Sequence, residues 1–188
     1  MNNLNNPTPY NEMQLVKRRF FAMRNGVVAD ALRKGGSPYQ IIFGVNLPQL
    51  REIAADFAPA PALAQRLWAD TRTRESQLLA PWLIPGRKLN PEDAVAWLKS
   101  AVSAEAVDIL CIACLRNFAE ASQVATTLAD TCDTLGMYAA LRLLFNNLSP
   151  DNYALGRELI SRVGADSPMM LRGIARQLAD EIDWLSEE

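Results

Sequence analysis

Apolar positions recur with the helical period along almost the whole chain. Met13, Val16, Phe20 and Met23 predict a helix over 10–24, with Lys17, Arg18 and Arg19 beside the apolar stripe. A shorter helix over 27–34 stops at Gly35-Gly36, a pair suited to the left-handed turn that ends helices. Only Gln40 to Val45 reads as extended, and the run is short. Asn46 with Pro48 opens a helix to about 57 whose Leu50, Ile53 and Ala54 share a face, and 61–69 supplies its antiparallel partner. Thr73 opens another that runs to 83, where Pro85-Gly86 breaks it. Asn90-Pro91-Glu92-Asp93 sets a cap residue, a first-position proline and first-turn acids in a row, so a helix starts there. Ser103 opens the next, and further starts fall near 119, 134, 149 and 167.

Taken alternately, these starts form two series. Those at 73, 103, 134 and 167 are separated by 30, 31 and 33 residues, and those at 61, 90, 119 and 149 by 29, 29 and 30. A helix-turn-helix unit repeating at this length predicts an all-α fold, a right-handed α-α superhelix of stacked hairpins. The expected organisation is a single repeat domain over 10–188 behind an Asn- and Pro-rich tail over 1–9 read as disordered. Inner helices of such stacks line a concave surface where partners bind.

The helix opened by Ser103 is apolar on nearly every side, with Asp108 the lone charge between Glu105 and Arg116. A buried carboxylate without partners costs several kcal/mol or loses its charge, so Asp108 is paired, caps a helix end or faces a functional groove. Pairing with an arginine such as Arg142 satisfies the first of these. Glu105 lies three residues earlier on the same face, where a first-turn acid also favours the helix dipole.

Composition narrows the chemistry. The 188 residues are 49% apolar and 21% charged, the balance of an ordinary globular protein with a substantial core. No apolar run reaches the roughly 18 residues of a membrane span, and 1–9 lacks the basic and apolar regions of a signal peptide, so a cytoplasmic protein without membrane contact is expected. Three cysteines make no disulfide framework, and histidine is absent. That absence removes the commonest general base, the commonest zinc ligand and every Ser-His or Cys-His nucleophile pair, so no metal and no cofactor are expected. Cys111 and Cys114 form a C-x-x-C inside an apolar helix and read as small buried hydrophobes. Trp68, Trp82 and Trp97 read as core.

The net charge of −2 is unevenly spread. Residues 1–99 hold 13 Lys/Arg against 8 Asp/Glu, and residues 100–188 hold 6 against 13. Lys17-Arg18-Arg19, Arg24, Arg33-Lys34, Arg72, Arg74 and Arg87-Lys88 make up the basic half; they fit solvated helix faces or a row of cations along a phosphate backbone.

Specific residues then carry a resemblance. Phe43-Gly44-Val45, Pro48, Leu50-Arg51 and Ile53-Ala54, followed by Leu67-Trp68, Arg74-Glu75 and Leu79-Ala80, resemble the opening of the DNA alkylation repair family, the HEAT-like glycosylases of the AlkD type. Gln77 stands where an arginine is common. The resemblance implies a HEAT-like repeat solenoid with a basic groove for duplex DNA and excision of cationic alkylpurines such as 3-methyladenine and 7-methylguanine. A cationic base is already a good leaving group, which suits a chain without histidine. The resemblance places Asp108 at the family's catalytic aspartate, with Ala104 where a tryptophan precedes it by one turn. It places Arg142 at a DNA-contacting arginine, Arg176 at a late tryptophan and Asp180 at a basic position. Lys17, Arg18 and Arg74 join Arg142 and Arg176 as expected DNA contacts. The alternative reading is a non-catalytic scaffold that holds a protein partner on its concave face.

Overall fold

The computed structural model describes residues 11–84, 89–131 and 133–187. The expected disordered tail over 1–9, the break at Pro85-Gly86 and the basic pair Arg87-Lys88 lie outside these residues. The chain is all-α: eleven α-helices and no strand are found among the described residues. Two compact units divide it, one ending at Leu83 and the other beginning at Ile84.

The first unit holds α1 (Glu12–Ala22), α2 (Gly26–Lys34), α3 (Leu47–Phe57), α4 (Pro61–Trp68) and α5 (Arg74–Leu79). Asparagines decide where three of them begin. Asn11 and Asn46 each accept from the backbone N–H of a glutamine three residues on and donate their own N–H to that glutamine's side-chain oxygen, and Asn25 accepts from the Val28 N–H. The single helix expected over 73–83 is α only to Leu79 and tightens into a 3-10 turn over Ala80–Leu83. Pro81 is the reason, because it brings no N–H for the α ladder.

The extended stretch before α3 forms no sheet. Ile41 alone bridges to the segment before α5, donating to Arg72 O and accepting from Arg74 N. The next three residues fold inward with no strand to bond to, and a carboxylate takes that role. Glu75, fully buried, accepts from the Phe43 N–H at 3.1 Å, the Gly44 N–H at 2.9 Å and the Val45 N–H at 3.4 Å. Arg74 Nη1 donates to the same carboxylate at 3.0 Å and to Val45 O at 3.1 Å. Each partner here is out of water, so each orphan donor and the charge itself would be costly alone. Gly44 is obligatory: its φ is +76, and a Cβ there would collide with Asn25 O and Ala29 N at the start of α2. Gln77 is buried beside this tie, accepting from Tyr39 Oη at 2.8 Å and donating to Trp68 O at 3.2 Å.

The second unit holds α6 (Pro91–Ser100), α7 (Ala104–Cys114), α8 (Ala121–Ala129), α9 (Thr134–Asn146), a 3-10 turn over Pro150–Asn152, α10 (Tyr153–Ser161) and α11 (Met169–Ser186). Side chains of Asn90, Ser103 and Asp133 cap α6, α7 and α9. α9 is central and packs against α7, α8 and α11. α7 is buried along Ala106, Val107, Ile109, Leu110, Cys111, Ala113 and Cys114, as an all-round apolar helix must be. Asn147, just past α9, fixes the pair: it accepts from the Phe118 N–H at 2.7 Å and donates to Leu115 O at 2.7 Å and Leu143 O at 2.9 Å. The ends of α7 and α9 are thereby held together, with Asn117 in the left-handed region at φ 57.

Replacing Glu75 by alanine should lower unfolding stability by at least about 3 kcal/mol, since it strands a buried arginine and the inward backbone N–H groups. Glu52→Ala, at an exposed carboxylate, should stay within about 0.5 kcal/mol in the same urea titration.

Candidate functional site

Asp108 lies one turn into α7, past the Ser103 cap and on the side turned to α9. Its side chain is 28% exposed, so it is neither sealed in the core nor free in solvent. Two donors from consecutive turns of α9 reach it. Tyr138 Oη donates to Oδ1 at 2.8 Å, and Arg142 Nε donates to the same Oδ1 at 2.6 Å. Oδ2 accepts from no described residue.

The electrostatics follow from that cluster. Burial works against the Arg142 charge, but the hydrogen bond and charge of Asp108 outweigh it, and the guanidinium is held above its ordinary range. Burial, reinforced by the neighbouring Asp108, pushes the Tyr138 phenol up, so it stays a neutral donor. Cys111, one turn along α7, is fully buried, and burial with the Asp108 charge pushes its thiol up as well. A thiol held in that way is a poor nucleophile, which leaves Cys111 as packing. Arg142 lies over Phe145 with its guanidinium carbon 5.6 Å from the ring centroid, while its Nε is bonded to Asp108.

The other expected site residues fall elsewhere. Arg74 is 7% exposed, and its guanidinium is taken up by Val45 O and Glu75 inside the first unit. It is a loop tie and presents no charge to a phosphate, because burial and two acceptors already use it. Lys17 shares its ammonium with Asp70 at 2.9 Å, and the neighbouring Arg18 is exposed on the same helix. Burial opposes ionisation of Asp70, but bonds from Lys17 and Ser76 hold it below the usual carboxylate range. Arg176 is 84% exposed on α11, 3.8 Å from Asp180. Ala104, one turn before Asp108, puts no ring beside the acid.

The sequence points to the pairing of Asp108 with Arg142, which the structure shows, but not to Tyr138. Its signal was present: Tyr138 and Arg142 are four apart, so one face of α9 offers both donors. A tyrosine among alanines and leucines reads as core, and only the packing of α7 on α9 turns its hydroxyl into a site group. Among the described residues, no group of three His, Cys, Asp or Glu side chains is placed to hold a metal ion, and no helix is long and apolar enough to cross a membrane.

In an alkaline ultraviolet titration, Tyr138 should ionise later than an exposed phenol does, because burial and Asp108 both disfavour the phenolate. Tyr138→Phe should delete that late component, and Asp108→Asn should move it towards lower pH while leaving the part due to burial.

A family model described as DNA alkylation repair enzyme matches residues 16–172. No curated protein and no solved structure matches the chain. The match runs from α1 into α11 and takes in both Glu75, which shapes the first unit, and the Asp108 cluster of the second. With most of its length inside that match, this chain belongs to the DNA alkylation repair family.

Proposed function

We propose that this protein binds duplex DNA and excises positively charged alkylated purines, with Asp108 as the working carboxylate. The observation that supports this best is the state of Asp108: half-buried, with two donors on Oδ1 and none from a described residue on Oδ2. Partial burial strengthens what a carboxylate does to a nearby cation, and an open oxygen leaves it able to do so.

The chemistry needs little else. When the C1′–N bond of a cationic alkylpurine breaks, the base takes the bonding pair and leaves neutral, while positive charge passes to the sugar. The Asp108 carboxylate stabilises that sugar cation and orients a water. Water adds at C1′ and gives up a proton through the Asp108 carboxylate to solvent, leaving a free base and an abasic sugar. Arg142 couples this to binding: Nε holds Asp108, and its terminal nitrogens are left for a backbone phosphate. Lys17 and Arg18 in the first unit and Arg176 in the second are further phosphate contacts, Arg18 and Arg176 being the most exposed of the set.

A second reading is a scaffold that holds a protein partner without catalysis. Its support is Ala104, which leaves Asp108 without an aromatic neighbour one turn back, and the ion pair that already neutralises the acid. Duplex binding against salt separates the two. The DNA reading expects affinity to fall at least about tenfold between 50 and 200 mM salt, from a few phosphate contacts. No binding at low salt rejects it. On methylated duplex, Asp108→Asn should release free alkylated base about 100-fold more slowly than the wild type. Equal release from both would remove Asp108 from the chemistry.

A further inference from the structure

Asp108 has two holders, and the second comes from no motif. Tyr138 is buried to 6% exposure, so its ring has a fixed seat in α9, and its hydroxyl reaches Asp108 Oδ1 at 2.8 Å. From the next turn of the same helix, Arg142 reaches that oxygen at 2.6 Å. A carboxylate gripped by one donor still rotates about its Cβ–Cγ bond. Gripped on one oxygen by two donors from consecutive turns of α9, it is held more firmly, and the other oxygen is left outside the grip. We infer that Tyr138 is a positioning residue for DNA base excision, which holds Asp108 through Oδ1 so that Oδ2 is the oxygen presented to the sugar. The assignment rests on the reading of Asp108 as the working carboxylate.

Several features of the site agree. Tyr138 remains protonated well past neutral pH, so the bond is a donor's bond wherever the protein works. Arg142 alone is a poor clamp for this purpose, since a phosphate on its terminal nitrogens pulls the whole guanidinium and Nε with it, whereas a phenol buried in the helix packing is out of reach of DNA. The division of labour follows: Arg142 answers to bound DNA, and Tyr138 keeps the acid in place before and after. The scaffold of α7 on α9, pinned by Asn147, sets the Tyr138 to Asp108 distance on rigid elements.

Single-turnover excision from methylated duplex, measured with duplex affinity in parallel, tests this. Tyr138→Phe should slow excision roughly tenfold, the order expected for one hydrogen bond to a charged group, with affinity for duplex unchanged. Because Tyr138 acts only through Asp108, the double variant Tyr138→Phe with Asp108→Asn should be no slower than Asp108→Asn alone. A merely structural tyrosine would instead add its own loss to the double variant. Replacing Tyr138 by 3-fluorotyrosine, which keeps the hydroxyl and nearly the same shape, should retain excision within about twofold. Wild-type rates from Tyr138→Phe, or a fluorinated protein as slow as Tyr138→Phe, would overturn the assignment while leaving the catalytic role of Asp108 standing. A wild-type protein that releases no base would overturn the catalytic reading, and this assignment with it.

Discussion

A carboxylate withdrawn from water must be met by donors, and in an all-helical chain there is no sheet edge to supply them. Glu75 is the strongest case. It is fully buried, and it substitutes for a missing strand by accepting from the backbone of Phe43, Gly44 and Val45. Arg74 completes the arrangement and closes on Val45 O. The course of the chain between α2 and α3 depends on that one side chain, and the positive φ of Gly44 follows from the same inward fold.

Asp108 meets the same requirement differently. Its donors are side chains, both come from α9, and both take the same oxygen. Glu75 has both oxygens occupied and no exposure, which suits a residue that holds a fold. Asp108 has one oxygen occupied and keeps contact with solvent, which suits a residue that acts. The two acids thus differ in how completely they are satisfied, Glu75 on both oxygens and Asp108 on one. Of the two donors to Asp108, Tyr138 at 6% exposure is the more withdrawn from solvent.

The residues that carry the family likeness thus do two kinds of work. Phe43-Gly44-Val45 with Arg74-Glu75 is a folding device, and its arginine contributes nothing to a phosphate-binding surface. Gln77 is buried with both ends of its amide engaged. The second unit carries the acid and its partners on a frame of α7, α8, α9 and α11. Belonging to the DNA alkylation repair family is consistent with both units, since the match spans them.

Much of this was legible in the residues themselves. Helix starts at Asn46, Asn90 and Ser103 could be read because capping is local: a side chain meets a backbone N–H three residues on. The buried course of α7 and the oddity of Asp108 could be read because an apolar helix with one acid has few places to go. Pairing of Asp108 with Arg142 was foreseeable as one of three outcomes, and α9 packing on α7 selected it. What only the tertiary structure decided is long-range in the chain. Arg74 looked like a surface cation until its burial against Val45 was set by a loop some thirty residues earlier. Tyr138 looked like core until its hydroxyl met a carboxylate thirty residues before it. Periodicity tells which face of a helix turns inward, but the partner it meets there depends on packing between helices, and no local pattern encodes that.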